Sequence, residues 1–144
     1  MTCKDMNRVI EDTPIYVRQW PASVALENMT EAVQVLGPSF GSFIEGKYTL
    51  NDIIAVMSGV DKHTLVPLLK RFVSAARVDG KEIQEGTFNI TFSGDLMKVF
   101  KILAFVCEVN YKDFFEQGLE LNAQRKEEAM QNSKEQVQSQ TSIP

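Results

Sequence analysis

The most hydrophobic stretch of the chain, residues 96–110, reads LMKVFKILAFVCEVN. Its apolar residues recur at helical spacing and form one continuous stripe. This stripe consists of Leu96, Val99, Phe100, Leu103, Val106 and Cys107, and it is widened by Ile102, Phe105 and Val109. A helix that is apolar around so much of its circumference lies at the centre of a fold or beneath a partner. The stretch therefore predicts the central helix of the protein, with residues 93–95 (Ser-Gly-Asp) as its N-terminal cap.

Three further helices are predicted in the first half of the chain. Pro21 is well placed to open a helix over residues 22–36, because the first helical positions have no backbone donor to lose. Residues 49–52 (Thr-Leu-Asn-Asp) form a capping pattern at the start of the second helix. The third helix is expected to begin near Thr64, which would place Pro67 in its first turn.

Three short segments predict a minor β component. Residues 15–20 (IYVRQW) are β-prone and are stopped by a proline. In residues 77–84, Asp79-Gly80 lies between Val and Ile and favours a type I′ hairpin turn. In residues 87–92, phenylalanine and isoleucine alternate with polar residues, as in a half-buried strand. The predicted fold is therefore mainly α, a small helical bundle with one short β-hairpin or small sheet.

The domain organisation is predicted from changes in composition along the chain. Residues 1–14 are polar and are expected to form a flexible leader, and residues 15–121 hold the single helical domain. Residues 122–144 contain no aromatic residue and are rich in glutamine. This segment is expected to be a helical extension that frays into a disordered tail, because it cannot bury enough surface to offset its ordering entropy.

Size, charge and hydropathy exclude several classes of protein. The chain has 144 residues, a net charge of −4 and a pI near 5.0, which argues against a dedicated nucleic-acid binder. Its longest apolar run, residues 102–107, has six residues, whereas a membrane span needs about 20. Residues 1–12 hold no apolar core of a secretory signal, and the distant Cys3 and Cys107 fit a reducing compartment better than a disulfide. We therefore expect a soluble, intracellular protein.

No catalytic or metal-binding constellation is visible in the sequence. His63 is the only histidine, and its neighbours supply neither a nucleophile nor a converging carboxylate. Cys3, His63 and Cys107 share no spacing typical of metal ligands, and no glycine-rich phosphate loop occurs. We expect no enzymatic activity, no cofactor and no metal.

Charge and aromatic patterning point instead to contacts with other proteins. Residues 21–60 carry a net charge of −3, and residues 61–77 carry a net charge of +3. The opposite charges predict that the two segments pair within the fold or between copies of the chain. Alternatively, both segments are ordinary solvated helix faces. Residues 100–115 contain five aromatic residues, too many for one inward-facing helical surface. Most are expected in the core, and the surplus would form a docking surface for an apolar helix of another protein.

Four segments resemble motifs of the phage tail assembly chaperones. Residues 15–22 (IYVRQWPA) are similar to their Y-x-V-R-Q-L-P-A segment before the first helix, and residues 78–81 match their V-D-G-K turn. Residues 92–96 resemble F-x-G-x-L, and residues 108–115 resemble E-V-N-F-x-D-F-F. The resemblance covers roughly residues 15–121 in the same order. The residues that carry these motifs are Arg18, Pro21, Asp79, Gly80, Gly94 and Asn110.

The resemblance implies a non-enzymatic assembly factor made late in phage infection. Such a protein binds the tape measure protein, keeps it soluble, helps recruit tail tube subunits and then dissociates. Contact with the tube protein would come mainly from a longer form made by ribosomal frameshifting. The expected location is the host cell cytoplasm and not the mature virion, and neither nucleic acid nor membrane is an expected partner. On this basis, the predicted partner-binding residues are Trp20, Tyr111, Phe114 and Phe115.

Two other functions remain open at the level of the sequence. The chain could be a structural head–tail or tail component that stays in the virion. It could also be a small helical regulatory protein. The presence or absence of the protein in purified particles separates the structural component from the chaperone.

Overall fold

The secondary structure is described by a computed structural model for residues 4–141, with side chains described for residues 4–132. Within these residues the chain forms four strands and six helices. In chain order they are β1 (Asp5–Ile10), β2 (Thr13–Arg18), α1 (Ala22–Leu36), α2 (Ser39–Glu45), α3 (Leu50–Gly59), α4 (Lys62–Val73), β3 (Ala76–Val78), β4 (Lys81–Glu82), α5 (Glu85–Phe92) and α6 (Leu96–Thr141). The mainly α prediction with a small sheet agrees with this architecture in outline. Cys3, on which the redox argument partly rests, lies outside the described residues.

The sheet is antiparallel, with strand order β1-β2-β3-β4. Strand β1 occupies part of the segment predicted to be a flexible leader, so that prediction is wrong for residues 5–10. Three of the six residues of β1 are polar or charged, but its backbone pairs with β2 from Asp5, opposite Arg18, to the turn. The turn is closed by Glu11 and Asp12, which adopt positive φ angles of 50° and 63°.

The second hairpin, β3–β4, confirms the turn predicted within residues 77–84. Asp79 and Gly80 have φ angles of 52° and 76°, the left-handed region that both central residues of a type I′ turn require. The backbone N–H of Asp79 also donates to the carbonyl of Pro14 over 2.9 Å, which ties the turn to β2. Glycine at the second position adopts this conformation without steric cost.

The predicted strand over residues 87–92 is wrong, because these residues form helix α5. The alternation of apolar residues that suggested a strand also fits a helix. Phe88 and Phe92 are four residues apart and lie on one face of that helix, while Ile90 is exposed. Their ring centroids lie 5.0 Å apart. The backbone N–H of Gln84 donates to Thr87 Oγ1 over 2.9 Å, which helps to close the first turn.

The helices of the first half agree with the sequence apart from one boundary. Helix α1 begins after Pro21 and ends at Leu36, as predicted. Thr49 caps α3 reciprocally with Asp52, and the Thr49 backbone N–H donates to the Asp52 carboxylate over 2.8 Å. Helix α4 begins at Lys62 rather than near Thr64, so Pro67 lies inside the helix and removes one backbone hydrogen bond.

Helix α6 supplies the largest part of the core and confirms the prediction of a central helix. Its six consecutive residues 102–107, which end in Cys107, are all buried. Asp95 Oδ1 accepts a hydrogen bond from the Lys98 backbone N–H over 3.3 Å, as expected of an N-cap. Gly94, with a φ angle of 80°, makes the turn from α5 into this helix.

The chain divides into two compact units, Met1–Lys112 and Asp113–Pro144, and α6 contributes residues to both. The predicted domain of residues 15–121 therefore extends across the boundary between the units. Its end at residue 121 stays a prediction. The helical extension predicted from residue 122 corresponds to the last part of α6. Disorder of the glutamine-rich tail stays a prediction, and residues 142–144 lie outside the described part of the chain.

Candidate partner-binding surfaces

In the first unit, the segment between β2 and α1 is held against α6 by hydrogen bonds. The backbone N–H of Trp20 donates to Asn110 Oδ1 over 2.9 Å. The side-chain amide of Gln19 donates to the carbonyl of Val109 over 2.9 Å. Asn110 Nδ2 in turn donates to the Val106 carbonyl over 3.0 Å, which fixes the orientation of its amide. Asn110 thus positions the segment that leads into α1, a structural role that explains its place in the motif.

Tyr111 belongs to the core, and its predicted place on a docking surface is corrected. Its side chain is only 3% exposed, and its hydroxyl donates to the carbonyl of Ala25 over 2.8 Å. Its ring lies 5.6 Å from the ring of Phe40 and 6.3 Å from that of Trp20. Burial raises the pKa of the Tyr111 phenol above its usual range. Tyr111 therefore holds α1 and α2 against α6 and is not available to a partner.

Trp20 is half-buried at the edge of this aromatic cluster. Its ring packs edge-on against Phe72 of α4, with 5.1 Å between the centroids. An edge-to-face pair of this kind adds about 0.5–1.5 kcal/mol to the burial of the rings. Of the two predicted partner-binding residues in the first unit, only Trp20 keeps an accessible part.

The other residues of the family motifs lie where the backbone turns or where an element ends. They are Arg18 at the end of β2, Pro21 before α1, Asp79 and Gly80 in the β3–β4 turn, and Gly94 between α5 and α6. The carbonyl of Pro21 accepts the hydrogen bond of the Ala25 backbone N–H over 2.9 Å, which begins α1. These positions therefore help to set the course of the backbone.

The second unit carries an apolar groove on α6, and both remaining predicted residues line it. The groove has a volume of about 500 Å³ and is lined by Phe114, Phe115, Gly118, Leu119, Leu121, Asn122 and Arg125. Phe114 is 59% exposed, Leu119 is 49% exposed and Leu121 is 63% exposed. We call this surface the α6 groove. It is the kind of surface into which an amphipathic helix docks.

The spacing of these residues explains the groove. Phe114, Gly118, Leu121 and Arg125 lie at positions i, i+4, i+7 and i+11, which form one row along a helix. A second row runs beside it and consists of Phe115, Leu119, Asn122 and Lys126. Four acidic residues of the same segment fall on the opposite face, and they are Asp113, Glu116, Glu120 and Glu127. A fifth, Glu128, lies three residues after Arg125 and continues the first row. This part of α6 therefore has an apolar face that ends in charged residues of both signs, and an acidic back.

A second exposed apolar surface lies on α3, and the sequence analysis did not identify it. Leu50, Ile54 and Met57 occupy positions i, i+4 and i+7, and each is at least half exposed. Ile53 and Val56 of the same helix are buried. The spacing of these residues is visible in the sequence. Sequence analysis assigns apolar residues at helical spacing to the core, however, unless it considers the two faces of the helix separately.

The two oppositely charged segments, residues 21–60 and 61–77, are joined by an ion pair. Arg71 of α4 forms an ion pair with Glu31 of α1, so part of the opposite charge of the two segments pairs within the fold. His63 is exposed in the first turn of α4. Cys107 is buried, and burial raises the pKa of its thiol. Within residues 4–132, no three His, Cys, Asp or Glu side chains come together as metal ligands. No helix in the described part of the chain is long and apolar enough to cross a membrane.

Comparison with known protein families identifies a matching family. A family model described as phage tail assembly chaperone protein, TAC, matches residues 12–123. The match begins at the turn between β1 and β2 and reaches through most of the α6 groove. Neither a curated protein nor a solved structure matches the chain.

Proposed function

The chain belongs to the phage tail assembly chaperone family, and from this we propose that it binds the tape measure protein and keeps it soluble. It also helps to recruit tail tube subunits and then dissociates. The family is one of assembly factors and not of enzymes. The observation that carries the proposal is the exposed apolar α6 groove.

The α6 groove suits a long helical partner. A helix laid along it would cover Phe114 and Leu121 at once, since these two side chains are seven residues apart on one face. Complete burial of a phenylalanine or leucine side chain contributes roughly 1.5–3 kcal/mol. About half of each of these side chains is still accessible. One groove therefore supports only a modest affinity.

Modest affinity at each site agrees with a temporary role. Many copies bound along one tape measure protein would hold it firmly through multivalency. Each copy would still dissociate readily when a tube subunit arrives. The acidic back of α6, with Glu116, Glu120 and Glu127, would stay in water and keep the coated chain soluble through like-charge repulsion.

The predicted partner-binding residues have different roles in this proposal. Phe114 and Phe115 contact the tape measure protein directly in the groove. Trp20 adds a smaller contact through its accessible part, while Tyr111 only shapes the first unit. Recruitment of the tube protein runs mainly through a frameshifted longer form. The site of action is the host cell cytoplasm, and the protein is absent from the mature virion.

Co-expression with the tape measure protein of the same phage tests the proposal. The double substitution Phe114→Ser and Phe115→Ser should lower the soluble, co-purified fraction of the tape measure protein to near background. Circular dichroism should show that the helices are kept. Ile90→Ser is the matched control, because Ile90 is an exposed apolar residue of α5 outside the groove. Equal capture by the double variant and the wild type would contradict the proposal.

Analysis of purified virions by mass spectrometry tests whether the protein leaves. A departing chaperone should be absent or far below one copy for each tube ring. A stoichiometric amount in the particle would instead support the structural component retained in the tail.

A further inference from the structure

We propose that two copies of this chain pair through strand β1, antiparallel and about a two-fold axis at Asn7, so that their two sheets join into one. The inference goes beyond the proposed function and is independent of it, because association can be measured on the isolated protein. It follows from three features of β1, which are its outward-pointing backbone groups, its sequence and the groove beside it.

Strand β1 lies at the edge of the sheet, and half of its backbone groups point away from β2. The backbone N–H of Gln19 donates to the carbonyl of Lys4 over 2.8 Å, which makes these two residues a hydrogen-bonded pair. Along an antiparallel ladder, hydrogen-bonded pairs alternate with pairs that are not hydrogen-bonded. The N–H and carbonyl groups of Asp5, Asn7 and Val9 therefore point outward, to what we call the free edge of β1.

The neighbouring strand agrees with this alternation. Pro14 lies opposite Val9 and has no N–H to donate to β1. Its carbonyl accepts the hydrogen bond of the Asp79 backbone N–H and so points toward β3. Among residues 4–132, no hydrogen bond satisfies the backbone groups at the free edge. A second strand laid along this edge would satisfy them.

The free edge of β1 lacks the features by which proteins discourage the addition of a strand. At the other edge of the sheet, β4 has only two residues and is protected by its shortness. Strand β1 has six residues, pairs with β2 without a bulge, and contains neither proline nor lysine. Its inward-pointing charge, on Arg8, is balanced by the carboxylate of Glu108 over 2.6 Å.

The charges of β1 exclude most registers of a two-fold pair. An axis at Asp5 or at Arg8 would place two identical charges directly opposite each other, which is destabilising. An axis at Met6 would place Lys4 opposite Arg8, again with like charges opposed. An axis at Val9 would run the paired strands into the turn between β1 and β2.

An axis at Asn7 has none of these conflicts. Asn7 of one copy pairs with Asn7 of the other, and Asp5 pairs with Val9. The outward N–H and carbonyl groups of these three residues then bond to their counterparts in the second copy. Between them, Met6 lies opposite Arg8, and no two charges of the same sign are directly opposed. This register therefore uses the whole free edge.

A groove beside β1 receives the side chains of the added strand. It has a volume of about 280 Å³, and its lining includes Arg8 and Val9 of β1 and Ala104 and Phe105 of α6. In the joined sheet, Met6 of the second copy lies opposite Arg8 and therefore at this groove. Met6 is 41% exposed in the single chain, so pairing buries an apolar side chain in each copy. A methionine beside an aromatic ring is a favourable contact.

These observations favour a second copy over a strand of another protein as the occupant. The free edge, the register without opposed charges and the side chain for the groove all belong to the same six residues. Symmetry therefore supplies both halves of the interface, as in the two-fold dimers that are the commonest oligomers of soluble proteins. Each pair would carry two α6 grooves, which raises its avidity for a long partner through multivalency.

Sedimentation velocity of the purified full chain over a range of concentrations tests the pairing. As the concentration rises, the wild type should approach twice the monomer mass of 16.2 kDa. Asn7→Pro removes an outward N–H from each copy, whereas the bonds between β1 and β2 do not use this group. The variant should raise the dissociation constant of the pair by about tenfold or more. Asn7→Ser keeps the N–H and is the matched control, which should associate like the wild type.

A disulfide cross-link tests the position of the axis and does not depend on the folding of Asn7→Pro. The Cα atoms of a hydrogen-bonded antiparallel pair lie about 5.5 Å apart, within reach of a disulfide. Asn7→Cys, made in a Cys3→Ser background, should therefore give a covalent dimer on mild oxidation. The remaining Cys107 is buried. Asn89→Cys, at an exposed position on α5, is the control and should stay monomeric under reducing-agent-free electrophoresis.

Three results would overturn the proposal. They are a wild type that stays monomeric at every concentration, a dimer that Asn7→Pro leaves as stable as the wild type, and equal cross-linking at residues 7 and 89. If the chain is monomeric and Asn7→Pro instead lowers capture of the tape measure protein, the free edge receives a strand of that partner and not a second copy. A dimer weakened by Asn7→Pro, kept by Asn7→Ser and cross-linked at residue 7 supports the pairing.

Discussion

The guanidinium of Arg8 donates to the Glu108 carboxylate over 2.6 Å and joins β1 to α6 across one hundred residues of sequence. The same guanidinium lies 4.5 Å from the centre of the Phe105 ring. Two turns before Glu108 on α6, Lys101 pairs with Glu11 over 2.6 Å. The amino-terminal hairpin is therefore fixed to the central helix by charged groups at several points.

This ion pair predicts a stability that depends on pH. The hydrogen bond from Arg8 lowers the pKa of Glu108 below its ordinary value. Because the lowered value belongs to the folded state, the stabilisation is present above the ordinary carboxyl pKa and is lost as the pH falls through the lowered one. Urea unfolding from pH 7 to pH 3 should show Glu108→Gln less stable than wild type at pH 7, with the difference vanishing at low pH. Glu120→Gln, on the exposed acidic back of α6, should show no such difference at any pH.

Removing the Asn110 amide should destabilise the first unit. Asn110→Ala removes the acceptor of the Trp20 backbone N–H and the donor to the Val106 carbonyl. The expected loss in the free energy of unfolding is about 1–3 kcal/mol. Chemical denaturation followed by tryptophan fluorescence measures it, since Trp20 is the only tryptophan. Asn122→Ala, an exposed position on the same helix, serves as the control and should keep the stability of the wild type. Equal stability of the two variants would contradict the assigned role.

The hydroxyl of Tyr111 should matter for stability and not for capture of the tape measure protein. Tyr111→Phe keeps the ring against Phe40 but removes the hydrogen bond to the Ala25 carbonyl. A net cost of about 1 kcal/mol is expected. Thermal unfolding measures the cost, and pull-down of the tape measure protein should be unchanged. A loss of capture without a loss of stability would return Tyr111 to the docking surface.

The two faces of α3 should respond differently to truncation. Val56 is buried, and Val56→Ala should lower the free energy of unfolding by about 1–3 kcal/mol. Ile54 is half exposed, so Ile54→Ser should cost less than Val56→Ala. Urea denaturation of both variants provides the comparison. If Ile54→Ser costs more than Val56→Ala, Ile54 is part of the core in solution.

Local signals accounted for much of the fold. The apolar stripe of residues 96–110, the start of α1 after Pro21, the Thr49 cap and the Asp79-Gly80 turn all appear where the sequence placed them. Each depends on residues a few positions apart, and their side chains act on the neighbouring backbone. Such features are determined by short segments of sequence and can be recognised without knowing the rest of the molecule.

Tertiary structure decided the remaining features. Strand β1 depends on pairing with β2 and on the ion pair with Glu108, and the second of these partners lies one hundred residues away in the sequence. The alternation in residues 87–92 was compatible with a strand, but contact between Phe88 and Phe92 fits the helix that forms. Periodicity predicted that Tyr111 and Phe114 lie on the same helix, which is rich in aromatic residues. It did not predict which of the two side chains is buried by the rest of the protein. Burial depends on what packs against a face: Phe40 and the Ala25 carbonyl cover Tyr111, while Phe114 remains largely in solvent.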